Sequence, residues 1–113
     1  MASNNTDTGL RGQKIAEKFL LSKGMKLIKA NYRTPRGEVD LIMQDGEYTV
    51  FVEVKARRDL AYGFPREAVT KGKQNKIRYA ANYYSMKKQP DTNFRFDVVE
   101  ILAGQISHIE NAF

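Results

Sequence analysis

Asp40, Glu53 and Lys55 are the residues of this chain whose types and spacing could do chemistry together. They lie within the stretch GEVDLIMQDGEYTVFVEVK, from Gly37 to Lys55. Two carboxylates and an ammonium are the equipment for working on a phosphodiester. The acids supply oxygen ligands to a hard cation, and the lysine orients or deprotonates an attacking water or holds a phosphate oxygen. The chain has no cysteine and a single histidine, His108, far along the sequence. Its donors therefore favour Mg²⁺ or Mn²⁺ over zinc, and disulfides, thiol nucleophiles and cysteine-ligated centres are excluded.

A β-hairpin must bring these groups together. Val39 to Met43 and Tyr48 to Val54 are apolar-rich runs flanking Asp45-Gly46, a dipeptide suited to a tight turn. Side chains alternate along a strand, so Val39, Leu41, Met43, Val50, Val52 and Val54 form an aliphatic face. Glu38, Asp40, Glu53 and Lys55 fall on the other. Two registers keep the faces separate. With Asp45-Gly46 as the whole loop, Glu38 faces Glu53 and Asp40 lies diagonal to it; with Glu47 and Tyr48 also in the loop, Asp40 faces Glu53 directly. Either register brings Asp40 and Glu53 to about 4.5–8 Å at Cβ. Such a pair needs a cation between its charges, or else it belongs to a polar hairpin face left in water.

The remaining elements follow from periodicity. Residues 1–8 are polar and read as a disordered tail, and 9–113 as a single domain. Ile15, Ala16, Phe19 and Leu20 mark a first helix from Gly9 to Ser22. Glu17 lies at the border of that stripe, where surface salt-bridging is its ordinary role and joining Asp40 and Glu53 as a ligand its sharper one. Met25 to Arg33 reads as a strand on the sheet edge or leading into the hairpin. A loop over 56–65 carries Arg57, Arg58, Tyr62 and Phe64. A second helix runs from about Thr70 to Met86 with Ile77, Ala80, Ala81 and Tyr84 inward, and strands follow at Phe94 to Leu102 and Gln105 to Ile109. This order gives an α/β fold, a mixed sheet of about five strands flanked by helices. His108 is assigned a structural role.

Charge points to a polyanion partner. The chain carries +6 with a sequence pI near 9.6. Lys55 to Lys88 alone holds ten basic residues against Asp59 and Glu67, an excess larger than that of the whole chain. Lys73, Lys76 and Lys87 share one face of the second helix with Tyr83 between them, a pattern able to grip phosphates and stack on bases. A basic helix face that only confers solubility is the alternative. No apolar run is long enough to cross a bilayer and no secretory signal opens the chain, so a cytoplasmic location is expected.

Several separated motifs resemble the bacterial YraN family: Ala16-Glu17, Asn31-Tyr32-Arg33, Gly37 to Ile42, Val50 to Lys55, Phe96 to Val99 and the closing His108 to Phe113. The resemblance implies a restriction-endonuclease-like fold, similar to archaeal Holliday-junction resolvases. It matches Asp40 to the aspartate of the PD-(D/E)XK pattern, Glu53 to its second acid, Lys55 to its lysine and Glu17 to the helix glutamate of the metal site. The proline that usually precedes the aspartate is replaced by Val39. On this basis the chain is expected to be an Mg²⁺- or Mn²⁺-dependent endonuclease cleaving DNA, with branched or flapped substrates in view. Glu17, Asp40, Glu53 and the Val54 carbonyl would hold the metal, and Arg57, Arg58, Lys73, Lys76 and Tyr83 the nucleic acid. A homodimer, or a protein partner in a DNA-processing complex, fits a chain with one site. The alternative is a nucleic-acid-binding module without catalysis, serving recombination, repair or uptake; a weaker third is a basic surface for an acidic protein.

Overall fold

The computed structural model describes residues 7–57 and 69–113. Helix α1 (Asp7–Ser22) leads into β1 (Lys26–Thr34), β2 (Gly37–Asp45) and β3 (Tyr48–Arg57), and α2 (Lys71–Lys88) then carries the chain to β4 (Asn93–Leu102) and β5 (Gln105–Ile109). α1 thus begins two residues inside the stretch read from sequence as tail. The strands form one mixed sheet in chain order, antiparallel except for the parallel pair β3 and β4. Parallel neighbours cannot be joined by a tight turn, and α2 lies in the crossover between them. The five-stranded α/β sheet with two helices is the architecture expected from sequence.

Local chemistry sets the ends of α2. The Thr70 hydroxyl accepts the Lys73 N–H at 3.2 Å as N-cap, and Gln89 closes the helix in the left-handed region, its N–H donating to the Ser85 carbonyl at 2.8 Å. Lys87 and Lys88 stand in the last turn, where the helix dipole favours cations.

Each face of the sheet carries one helix. Ala16 and Leu20 of α1 pack with Leu41, Met43, Val50, Val52 and Val99. Ile77, Ala80, Ala81 and Tyr84, the residues expected to face inward, pack on the opposite side with Val39, Ile42 and Phe51. Phe51 meets Tyr84 and Phe94 edge-on and stacks on Phe96, onto which Phe113 also stacks. Ile42 and Phe51 thus bury the central part of the face that carries the acids; that face is not a solvated one. Val39 also departs from expectation. It joins the α2 side instead of the side of Leu41, together with its β1 partner Tyr32, and the change falls where the β1–β2 pairing passes over Asn31 and Asp40, with Asn31 at a φ of 54°.

The turn itself is Gly46-Glu47, with Asp45 opposite Tyr48 and Gly46 at a φ of 58°. Asp45 stays in the strand for an electrostatic reason. Its carboxylate accepts from Arg95 Nη2 at 2.9 Å, and the Arg95 guanidinium lies over the Tyr48 ring. Arg95 also grips Asp97 through Nε and Nη2, both at 2.9 Å. Asp97 is fully buried and accepts further from the Asn111 N–H at 3.0 Å and from His108 Nε2 at 2.7 Å. Lys23 Nζ lies 2.6 Å from His108 Nδ1, which assigns the remaining ring proton to the nitrogen facing Asp97. Burial alone would raise the Asp97 carboxyl; His108, Arg95 and the Asn111 amide outweigh it and hold it below the ordinary carboxylate range. His108 thus ties β5 to the buried Asp97 of β4.

Removing Arg95 would leave a buried carboxylate without its fork of donors. Arg95→Met is expected to destabilise the fold by about 3–5 kcal/mol at pH 7. Asp97 has a lowered folded-state pKa, so its contribution is present above the ordinary carboxylate value and lost as pH falls below that value through the lowered folded-state one. Urea unfolding of variant and wild type should therefore begin to draw together only as pH falls below about 4. An equal difference at pH 7 and pH 3 would refute this account of the pair.

Candidate active site

The observed hairpin register is the second of the two expected. Asp40 and Glu53 are the next positions beyond Leu41 and Val52, where the ladder opens. There the Val54 N–H donates to Asp40 Oδ2 at 2.8 Å, so the side chain of Asp40 takes up a β3 amide. Glu53 and Lys55 lie two apart on the face covered by α2. Glu53 Oε2 has two cationic neighbours, Lys55 Nζ at 3.3 Å and Lys73 Nζ of α2 at 3.5 Å. Asp40 and Glu53 are 6% and 3% exposed.

Burial and then the Glu53 charge push the Asp40 carboxyl up to about 7, with a hydrogen bond from the Glu53 side chain adding to the rise; the Val54 amide and Lys73 pull in the other direction. Near neutrality the pair can share a proton. Two buried carboxyls, one with its affinity for protons raised, are a site where a cation can replace a proton. Their oxygen donors suit a hard divalent ion, and the proton and the two ammoniums supply positive charge where such an ion would.

The other expected site residues divide. Glu17 is half-exposed on α1, and among the described residues no three acidic or histidine side chains converge as a metal-holding group. Lys73 turns to Glu53 instead of standing clear beside Lys76 and Lys87, and this contact was not foreseen. Lys76 lines an open cleft of about 470 Å³ with Lys73, with Arg33 near the end of β1 and with Arg36 of the β1–β2 turn, two arginines that sequence reasoning did not assign. Their placement on either side of Thr34-Pro35, just ahead of Gly37, was the available signal. Tyr83 lies beside Tyr79, with Lys87 Nζ 5.4 Å above its ring. Arg57 ends β3, while Arg58, Tyr62 and Phe64 lie outside the described residues.

The raised Asp40 carboxyl makes stability depend on pH. The folded chain keeps a proton there that the unfolded chain, with the ordinary value of 3.8, releases. Folding stability should therefore fall as pH rises from about 4 to 7. Asp40→Asn removes this cost and should gain on wild type across that range, by on the order of 2–4 kcal/mol. Thermal melts at pH 5 and pH 8 measure the change. A difference between the two proteins that ignores pH would contradict a raised Asp40.

Comparison with known proteins is consistent along the whole chain. The model of the Uncharacterised protein family UPF0102 matches residues 12–101. A UPF0102 protein of Clostridioides difficile is 43% identical over 97% of this chain and 99% of its own. One from Thermodesulfovibrio yellowstonii is 42% identical over 95% and 96%, and one from Saccharophagus degradans 45% identical over 100% and 97%. With a family match over most of its length and relatives of this similarity, the chain belongs to the UPF0102 (YraN) family.

Proposed function

We propose that the chain is a metal-dependent endonuclease that hydrolyses phosphodiester bonds of DNA in the cytoplasm. The observation that carries this reading is the buried contact of Asp40 with Glu53, with Lys55 Nζ 3.3 Å from the Glu53 carboxylate. Two acids and a lysine converging where a strand ladder opens suit phosphoryl chemistry better than they suit stability, because acid–acid contact under cover is unfavourable without a cation. Asp40, Glu53 and the Val54 carbonyl would hold Mg²⁺ or Mn²⁺, with Glu17 of α1 as the further acid of the set. When bound, the ion supplies Lewis-acid polarisation of the phosphate and lowers the pKa of water.

The chain's own groups do the rest. Lys55, fixed by its ion pair to Glu53, can donate to a nonbridging phosphate oxygen and offset charge that grows in the transition state. The Val54 amide holds Asp40 in place. Basic side chains of α2 and the β1–β2 turn supply backbone contacts with little sequence preference. Two-strand cleavage would need a second copy, and we include a homodimer in the proposal. No described helix is long and apolar enough to cross a membrane.

A second reading, a nucleic-acid-binding module without cleavage, is favoured by one observation: Lys55 Nζ and Lys73 Nζ both reach Glu53, at 3.3 and 3.5 Å, and supply counter-charge to it. Cleavage of junction, flap and linear DNA in Mg²⁺ or Mn²⁺ separates the two. Asp40→Ala, Glu53→Gln and Lys55→Ala are each expected to lower the cleavage rate by about 10²-fold or more while leaving DNA affinity in EDTA within a few fold. Cleavage by Asp40→Ala at the wild-type rate would overturn the nuclease reading; salt-sensitive binding with no cuts in any metal would support the binding module.

A further inference from the structure

A basic cleft adjoins the acid pair, and it is more heavily charged than compensation of two acids requires. Its walls are the β1–β2 turn and the first turns of α2, and its charged lining is Arg33, Arg36, Lys73 and Lys76 against one carboxylate, Glu38. Like charges gathered from two separate elements repel in the absence of an anion. Among the described residues no salt bridge reaches Arg36 or Lys76, and Arg33 meets Glu38 only at 3.6 Å with both side chains substantially exposed.

The convergence is built into the backbone. A Cβ on Gly37 would lie 2.5 Å from the Lys76 carbonyl oxygen, a main-chain atom that cannot give way, so glycine is what lets the turn rest against α2. The Thr34 hydroxyl closes the turn by donating to the Gly37 carbonyl at 2.7 Å. One side chain then belongs to both places: Lys73 lines the cleft and stands 3.5 Å from Glu53.

We infer that this cleft seats a backbone phosphate of a nucleic-acid strand, next along the strand from the phosphate presented to Asp40 and Glu53, with Lys73 bridging the two positions. The inference rests on the proposed nuclease reading for what occupies the neighbouring position; anion binding in the cleft itself needs no metal. Phosphate fits better than a peptide carboxylate. Guanidinium forks match its several oxygens, and a polyanion with regularly repeated charges can engage the cleft and the acid pair at once.

The test is fluorescence anisotropy with labelled single-stranded and duplex oligonucleotides in EDTA, where no cleavage occurs. Arg33→Gln/Arg36→Gln is compared with wild type and with Lys14→Gln/Lys18→Gln, a control of equal charge change on exposed positions of α1 across the sheet. The cleft variant should bind about tenfold or more weakly at low salt, and its slope of log affinity against log salt should fall by about one to two. The control should stay within about twofold. Circular dichroism melts check that each fold is intact. Equal binding by the cleft variant and wild type would overturn the inference, as would equal weakening by the control, which would reduce the effect to net charge. Competition by polyglutamate as effective as unlabelled oligonucleotide would overturn it in favour of an acidic protein. Loss of binding in the cleft variant, together with a wild type that cuts nothing in Mg²⁺ or Mn²⁺, would uphold the cleft and refute the nuclease reading.

Discussion

Two carboxyl groups forced into contact beneath a helix make an electrostatic demand that the surrounding structure answers piece by piece. The hairpin register brings Asp40 to Glu53, and the cover of α2 removes the water that would otherwise screen them. β3 answers with an amide from Val54 and the ammonium of Lys55, α2 with Lys73, and the solvent with a proton. The opposite case stands on the α1 face of the same sheet. Asp97 is as deeply buried as Asp40, yet its neighbours are Arg95, His108 and an amide, and it is held ionised. Burial is common to both, and the charge of the neighbours decides the protonation state.

Strand β3 links the two halves of the molecule. Its Val50 and Val52 lie under α1, its Phe51 under α2, and Glu53 and Lys55 continue the Phe51 side to the end of the apolar patch. The catalytic candidates therefore extend a hydrophobic face, and their placement depends on the packing of Ile77, Ala80, Ala81 and Tyr84.

Much of this was legible in the sequence because it is periodic. Strand alternation placed Asp40 near Glu53, helical spacing identified the inward residues of α2, and Thr70 marked its start. What could not be read depended on contacts between distant elements. Periodicity says which side chains share a face of α2 but not which way the stripe of Lys73 and Lys76 points. Alternation supposes regular strands, and Val39 changes sides with Tyr32 beside the left-handed Asn31. The preference of Asp45-Gly46 for a turn yields to the pull of Arg95, fifty residues along the chain, on Asp45. The meeting of Arg33 and Arg36 with Lys73 and Lys76 depends on α2 resting against Gly37, a contact that no local pattern encodes. The family resemblance carried fold class and membership further than spacing alone, and left the place of each cation to geometry.

The parallel pairing of β3 with β4 has a kinetic corollary. Strands β2 and β3 close across a two-residue turn, a contact that costs little loop entropy and forms early in small domains. Pairing β3 to β4 must wait for the whole crossover that contains α2 to fold back. The two acids can thus meet through local structure, whereas Lys73 arrives only with the nonlocal half of the fold. In a partly folded chain the pair stands open to water, where its repulsion is screened. Docking of α2 removes that screening and delivers the compensating charge in the same step.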